Sequence, residues 1–418
     1  MTVLSKALTT LLFLYITSTV FAQNNAQEKT ETYIKSASFM KDNQGVIPFF
    51  RLGERMTFEF DDLLANETNY YYRVFPFNYD WTPSKLRTQD YLTGMENQRI
   101  QNYENSFNTL QIFSHYKLNI PNNNYRITKS GNYVLEIYDD QNEVVIRRKF
   151  ILYESLVNVG AQVKRTRNIE EIDWKQNIEF SVQLGENQYQ NPSQNIKAAL
   201  FQNARWDSYI SNVPPQYTIG TELIYKYNKE TQFWGGNEYL NFDNSDIKAV
   251  NNNIVKVNAD TGVYNTFLFI NQARKNSLYT FFPDINGSFY PRNIFREQPS
   301  IEADYSWVYF RLNLSQDITD TQYYVTGMFN NYELTDESLM SFNPETKLYE
   351  KALLIKQGFT NYNYTAVHKR KVDLKEAPDG NFAQTENQYQ ILIYYKGTTD
   401  LYDRVIGYGL TNSENIVY

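Results

Sequence analysis

The chain holds two histidines, His115 and His368, and no cysteine, so its inventory for acid–base, redox or metal chemistry is short. A three-histidine metal site cannot be built. Without cysteine there is no disulfide, no thiol nucleophile, no cysteine–zinc site and no lipid on an N-terminal cysteine. His115 lies in an apparent strand with Phe113 and Tyr116 and reads as a structural residue. Acid–base work needs an oriented partner, which spacing does not supply. The basic run His368-Lys369-Arg370-Lys371 reads as a solvated strand end or loop. Carboxylates are plentiful, but no pair stands out. Glycosidase carboxylates sit about 5 to 9.5 Å apart in the fold, a distance that sequence spacing does not display. Asp61-Asp62 and Glu170-Glu171 read as solvated turn faces. There is no phosphate-cradling glycine loop, no GxSxG elbow and no EF-hand loop. The expectation is no catalytic residue, no cofactor and no metal.

The elements around these residues read as strands. Aromatics make up 16% of the 418 residues, with 36 Tyr and 27 Phe, broken by Asn, Thr and Gly, and such rings favour half-buried pleated strands. Met56–Phe60, Tyr70–Phe75, Ser114–Ile120, Tyr133–Tyr138 and Val144–Tyr153 alternate or run apolar between turn residues. The pattern resumes at Ile178–Val182, Ile196–Phe201, Leu223–Tyr227 and Tyr264–Ile270. It continues at Trp307–Leu312, Tyr323–Gly327, Leu348–Leu354, Tyr362–Val367, Gln388–Tyr395 and Leu401–Leu410. No strong amphipathic helix interrupts it. The predicted fold is all-β: tandem immunoglobulin/fibronectin-like β-sandwich domains at 23–154, 155–290 and 291–418. Polar linkers are expected near Ser155 and over Tyr290–Ser300.

Residues 1–22 read as an export signal: Lys6, then the apolar run Ala7–Val20, then Val20-Phe21-Ala22 before Gln23. That run is too short for a comfortable membrane span. Later strands are irregularly spaced with long polar insertions, which fits sandwiches better than an outer-membrane barrel. The net charge of −7, without a basic stripe, argues against nucleic acid. Trp81, Trp174, Trp206, Trp234 and Trp307 sit mostly beside strand or turn signals, where core packing explains them better than a sugar platform. Asp80 is expected to cap a turn while Trp81 covers the open end of a core.

Several segments, taken in order, resemble one family. They are Tyr79-Asp80-Trp81-Thr82-Pro83-Ser84, Asp90-Tyr91-Leu92-Thr93-Gly94, the stretch Tyr103–Thr109 and Ser130–Leu135. Next come Leu200–Asp207, which holds Trp206, and Phe233-Trp234-Gly235-Gly236-Asn237-Glu238-Tyr239, continuing through Phe242-Asp243. Thr385–Tyr389 and Tyr402-Asp403-Arg404-Val405-Ile406-Gly407-Tyr408 complete the set. Together they resemble the Plug protein family of the type IX secretion system. The resemblance implies a periplasmic, non-enzymatic protein that seals the periplasmic mouth of a giant outer-membrane β-barrel translocon, its partner. It implies no membrane span and no cofactor. The motif positions Asp80, Trp81, Gly94, Trp206, Gly235, Gly236, Asn237, Asp243, Tyr402, Asp403 and Arg404 are read as mainly structural or interfacial. A second likeness, from Tyr324 to Tyr332 with Leu353–Tyr364 behind it, is to glycogen-binding sandwich modules. Tyr332 stands where those modules commonly carry Trp, which puts a sugar function in doubt. An array of cell-envelope carbohydrate-binding modules is the alternative reading, and an enzyme of unrecognised type ranks below it.

Overall fold

Alternation along the strands builds three separate cores. The computed structural model describes residues 26–186, 189–260, 262–314, 320–414 and 416. The expected export signal, 1–22, lies outside them. The fold is all-β and multi-domain, with only short helical turns beside the strands among the described residues.

In the first sandwich a six-stranded sheet faces a five-stranded one. Gly131–Tyr138 lies between Val144–Tyr153 and Tyr71–Phe77, all antiparallel. Opposite, Met56–Asp62 lies between Ile34–Lys41 and Ser114–Ile120. Met56, Phe58 and Phe60 point inward with Tyr116, Leu118 and Ile120. The period-2 rule sends Glu59, Asp61, His115 and Lys117 to the outer face, where Asp61 pairs with His115 and Glu59 with Lys117 across strands. On the other sheet, buried Glu136 accepts from Arg73 Nε at 2.8 Å and Arg147 Nε at 2.6 Å, its two cross-strand neighbours.

The second sandwich sets a five-stranded sheet around Lys175–Gln183 against a four-stranded one. In the four-stranded sheet Ile196–Gln202 pairs with Gln388–Tyr395, which pairs with Arg404–Asn412. The third sandwich pairs Tyr305–Asn313 with Leu348–Lys356 and, in parallel, with Val263–Leu268. Its other sheet gathers Leu240–Asp243, Phe289–Pro291 and Thr321–Thr326 on Gly358–His368.

The serial plan of 155–290 followed by 291–418 is therefore corrected. The chain leaves the second sandwich after Gln232–Trp234, builds the third from Leu240 to Val372, and returns at Gln388 to supply two strands of the second. Strand periodicity carries no label for the partner strand, so an insertion reads as a series. The expected linkers are also absorbed. Tyr290 and Pro291 pair with Phe359 and Gly358, and Pro299–Glu302 is a one-turn helix. Beside Ser155, the amides of Glu154 and Leu156 donate to Val405 O at 2.8 Å and Ile406 O at 2.9 Å, so the connection is stitched to the last strand.

Candidate functional site

With no catalytic constellation among the motif residues, the question is what each motif position holds together. The four-stranded sheet of the second sandwich is apolar on both faces. Ile196, Ala198, Leu200, Ile391 and Ile393 point into its own core. The alternate residues Ala199, Phe201, Leu392, Tyr394 and Val405 point out, onto Phe49 and Ile151 of the first sandwich. A sheet buried on both faces reads as a continuous apolar run, as Ile391–Tyr395 does. Trp81 and Trp206 meet in this seam edge-to-face, with ring centroids 5.3 Å apart, and Phe49 stands edge-on to Trp206 at 5.8 Å. Lys149 Nζ lies 4.9 Å from the Trp81 ring and 5.6 Å from Trp206. Trp81 thus joins two sandwiches rather than covering the open end of one. Its φ of 62° is supported by the turn in which Asp80 Oδ1 accepts from Thr82 N at 3.1 Å, so Asp80 caps as expected.

Tyr402, Asp403 and Arg404 border the same seam. Asp403 is buried and accepts from Tyr79 N at 3.3 Å. Burial pushes its carboxyl up, although Lys396 and the Tyr79 amide pull it back. Arg404 pairs with Glu154 at 3.2 Å, tying the last strand to the connection between sandwiches. Burial raises the half-buried Tyr402 hydroxyl to about 12.

Gly235, Gly236 and Asn237 sit at the double crossover between the second and third sandwiches, where the outgoing and returning chains touch. Gly235 N donates to Trp174 O at 2.7 Å, and Phe382 N donates to Gly236 O at 2.9 Å. Gly236 N donates to Asn381 Oδ1 at 3.1 Å, Asn237 Nδ2 to Asp379 O at 2.7 Å, and Asn387 Nδ2 to Gly235 O at 2.7 Å. A Cβ on Gly235 would stand 2.1 Å from Phe382 O, so the close approach requires glycine. Below the joint, Asp284 accepts from the amides of Tyr239 and Asn286, and burial still raises its carboxyl to about 6. The remaining two motif positions are local. Gly94, at φ +118°, lets Asn124 O approach in a short strand pair, and Asp243 Oδ1 caps a turn through Ser245 N at 2.9 Å.

At the joint between the first and third sandwiches the motif stretch Tyr103–Thr109 contributes Phe107 N, which donates to Ile301 O at 2.9 Å. Asp61 and Asp62, read as a solvated turn, are both fully buried, which corrects that expectation. Asp62 accepts from Tyr70 OH at 3.0 Å and Leu64 N at 2.9 Å. Asp61 reaches into the third sandwich: its Oδ2 accepts from Tyr305 OH and from Lys356 Nζ, each at 2.6 Å. His115 Nδ1 lies 2.7 Å from Asp61 Oδ1, and Glu59 stands 3.7 Å from His115 Nε2. Lys356 Nζ also donates to Ser300 O at 2.5 Å and sits 4.4 Å from the Phe113 ring. Burial alone would raise the Asp61 carboxyl. Lys356 and His115 together outweigh it and hold that carboxyl below its ordinary range. Asp304 adds a second tie, accepting from Leu110 N at 2.5 Å and Gln111 N at 3.1 Å. The sequence signal for this joint was a histidine and an aspartate on the same face of adjacent strands, which equally describes a solvated face.

Chemically, these arrangements bind and brace. Among the described residues no cluster of His, Asp and Glu is placed to hold a metal ion. No helix among them is long and apolar enough to cross a membrane. Tyr332, the residue in the sugar-platform position, has Arg205 5.0 Å from its ring centroid and Tyr239 OH 3.0 Å from its hydroxyl.

Residues 34–154 match the family model for the type 9 secretion system plug protein 1st domain. No curated protein matches the chain. It is similar to a crystal structure of a hypothetical protein from Parabacteroides merdae ATCC 43184, at 29% identity and a TM-score of 0.88, over 93% of this chain and 100% of that one. The segment matched by the family model spans both sheets of the first sandwich, including Asp61, Trp81, Gly94 and His115. Over residues 34–154 the chain is therefore similar to the first domain of type 9 secretion system plug proteins, the family whose motifs its sequence resembles.

Proposed function

We propose that this protein is a non-enzymatic periplasmic plug, which binds and seals the periplasmic opening of the giant outer-membrane β-barrel translocon of type IX secretion. The observation that carries the reading is the first-domain match over residues 34–154. The three joints support it physically. A channel that conducts folded cargo is wide, and blocking it takes a body whose parts do not swing apart. Two-chain crossover at Gly235–Asn237, the Trp81–Trp206 seam and the buried Asp61–Lys356 pair each resist such motion. The carbohydrate reading has no observation in its favour, because Arg205 and Tyr239 occupy Tyr332.

The test has two arms. The tagged protein, purified from detergent-solubilised envelope, should bring down the barrel in stoichiometric amount. A deletion strain that still assembles an open channel should leak large periplasmic solutes, and the wild-type gene should stop the leak. Unchanged permeability with a demonstrably open channel would overturn the proposal. So would substrate turnover by the purified protein that one carboxylate change abolishes.

A further inference from the structure

Between the first and third sandwiches lies a cavity of about 300 Å³. Apolar residues line part of it, Ile34 and Ala37 on one side and Leu353 and Ile355 on the other, with Phe289 and Phe329, among polar ones such as Ser36, Arg148, Glu333 and Ser338. What marks it is the state of the two strands that border it. Ile34–Lys41 pairs along one edge with Met56–Asp62. Along its other edge, among the described residues, strand pairing reaches Met40 and Lys41, but Ile34–Ala37 is not an open edge: a bulge interrupts it at Ser36, which stands at φ 52°, Ile34 N donates to Glu31 O at 3.0 Å and Ala37 O accepts from Arg148 Nε at 3.4 Å. Leu348–Lys356 does present an open edge. Tyr305–Asn313 takes one edge, and Ser341–Asn343 covers the other only from Leu348 to Glu350. Residues 351–356 have no outer strand partner among the described residues. Leu353 to Lys356 line the cavity from that edge, and Ile34 to Ala37 form part of the opposite wall.

We propose that this slot binds an extended peptide segment of a partner protein, which adds a strand to the open edge at 351–356 and buries alternate apolar side chains between the sandwiches. Unpaired strand edges recognise extended backbone, since their N–H and C=O groups are satisfied by another strand. Four edge residues at a rise of about 3.3 Å each present roughly 13 Å, enough for a stretch of about four residues. The charges at the mouth select the segment further. Lys35 pairs with Glu337, and Arg148 with Glu333 at 3.0 Å. Glu31 pairs with Lys29 at 2.7 Å, and Lys356 is held by Asp61. The exposed Asp336 carboxylate makes no ion pair among the described residues, while Lys351 Nζ donates to the Asp336 backbone O at 2.9 Å. The occupant is therefore a segment with alternating apolar residues and a basic residue at the end that meets Asp336. A small apolar molecule would leave that edge unpaired.

The experiment uses the mature chain from Gln23 and fluorescein-labelled ten-residue peptides. One alternates Val and Thr and ends in Lys, a second replaces each Thr by Pro, and a third replaces the Lys by Glu. The Lys peptide should bind by fluorescence anisotropy at least roughly tenfold tighter than the Pro peptide, which cannot donate to a strand edge. The Glu peptide should bind several-fold more weakly than the Lys peptide. Asp336→Lys should reverse that order without moving thermal unfolding, because the side chain is exposed. Hydrogen exchange should slow at 351–356 on binding. Leu354→Glu should weaken the Lys peptide by about tenfold while Asp336→Lys reports on charge alone. The proposal falls if no peptide binds, if the Pro peptide binds equally well, or if protection appears elsewhere. It falls too if the apolar dye anilinonaphthalene sulfonate fills the cavity and the Lys peptide cannot displace it. Sealing of the translocon is a separate readout, so failure here leaves the proposed function standing.

Discussion

Lys356 Nζ and Asp61 Oδ2 are 2.6 Å apart, although 295 residues separate them and they belong to different sandwiches. Neither side chain has appreciable exposure, at 5% and 0%. Such a pair contributes little over apolar packing of the same volume, but removing one partner strands a buried charge. The relationship therefore acts mainly as a key that fits the third sandwich to the first in one orientation.

Lys356→Met should destabilise the protein by about 3–5 kcal/mol at pH 7, read by urea unfolding. The pH dependence has a definite sign. Asp61 is held below its ordinary range, so its contribution is present above the unfolded carboxyl value of about 3.9 and is lost as pH falls through the lower folded value. Without Lys356, burial dominates and ionising Asp61 becomes costly. The deficit of the variant should hence be larger at pH 7 than at pH 4. Asp61→Asn combined with Lys356→Met should recover part of it. An equal deficit at both pH values would show that the pair does not govern the joint.

Asp284 should work in the opposite sense. Burial raises its carboxyl to about 6, above the unfolded value. The unfolded chain releases that proton more readily, so stability falls as pH rises from about 4 through 6 and then levels. The group is largely buried, so the loss is about 2–3 kcal/mol before screening is allowed for. Asp284→Asn should flatten the slope of stability between pH 4 and 6. Isothermal urea titrations at half-unit pH intervals check this, and an unchanged slope would assign the effect to another group.

Gly235→Ala and Gly160→Ala make a matched pair. At Gly235 a methyl group would stand 2.1 Å from the Phe382 carbonyl, whereas at Gly160 the nearest atom is 3.9 Å away. The first should cost more than about 2 kcal/mol, because two backbones must separate. The second should lie within about 0.5 kcal/mol of wild type. Limited proteolysis should then cut Gly235→Ala first near the crossover, at 235–239 or 379–385.

Trp206→Ala should loosen the seam between the first and second sandwiches without unfolding either one. The ring is part-buried against Trp81, Phe49 and Phe201, and its loss should cost about 2–3 kcal/mol. Hydrogen exchange should speed up at Glu154 and Leu156, whose amides are bonded to the last strand, while the core amides of Tyr133–Ile137 stay protected. Acceleration spread evenly over the first sandwich would contradict a local seam.

His115→Gln should leave sealing intact, since a glutamine can keep one hydrogen bond to Asp61. Restoration of the barrier in the deletion strain is the measurement, and a leak as large as that of the deletion would make His115 part of the mechanism.

Residue order alone determined the strands, because alternation such as Met56–Phe60 and apolar runs such as Gln388–Tyr395 follow from side chains leaving a pleat on opposite faces. It also determined the short chemical inventory, since a residue that is absent cannot act. The resemblance to plug proteins was legible too, and the family model matches it over residues 34–154; its motifs hold turns, a crossover and a seam. The tertiary structure decided what the outer faces meet. Glu59, Asp61, His115 and Lys117 obey the alternation of a water-facing sheet, and only the docking of the third sandwich turns Asp61 into a buried anion. It likewise decided that Gln388–Tyr395 returns to Ile196–Gln202 across the inserted sandwich. Both facts rest on contacts between residues hundreds of positions apart, and local periodicity records which face a side chain takes but not what will cover it.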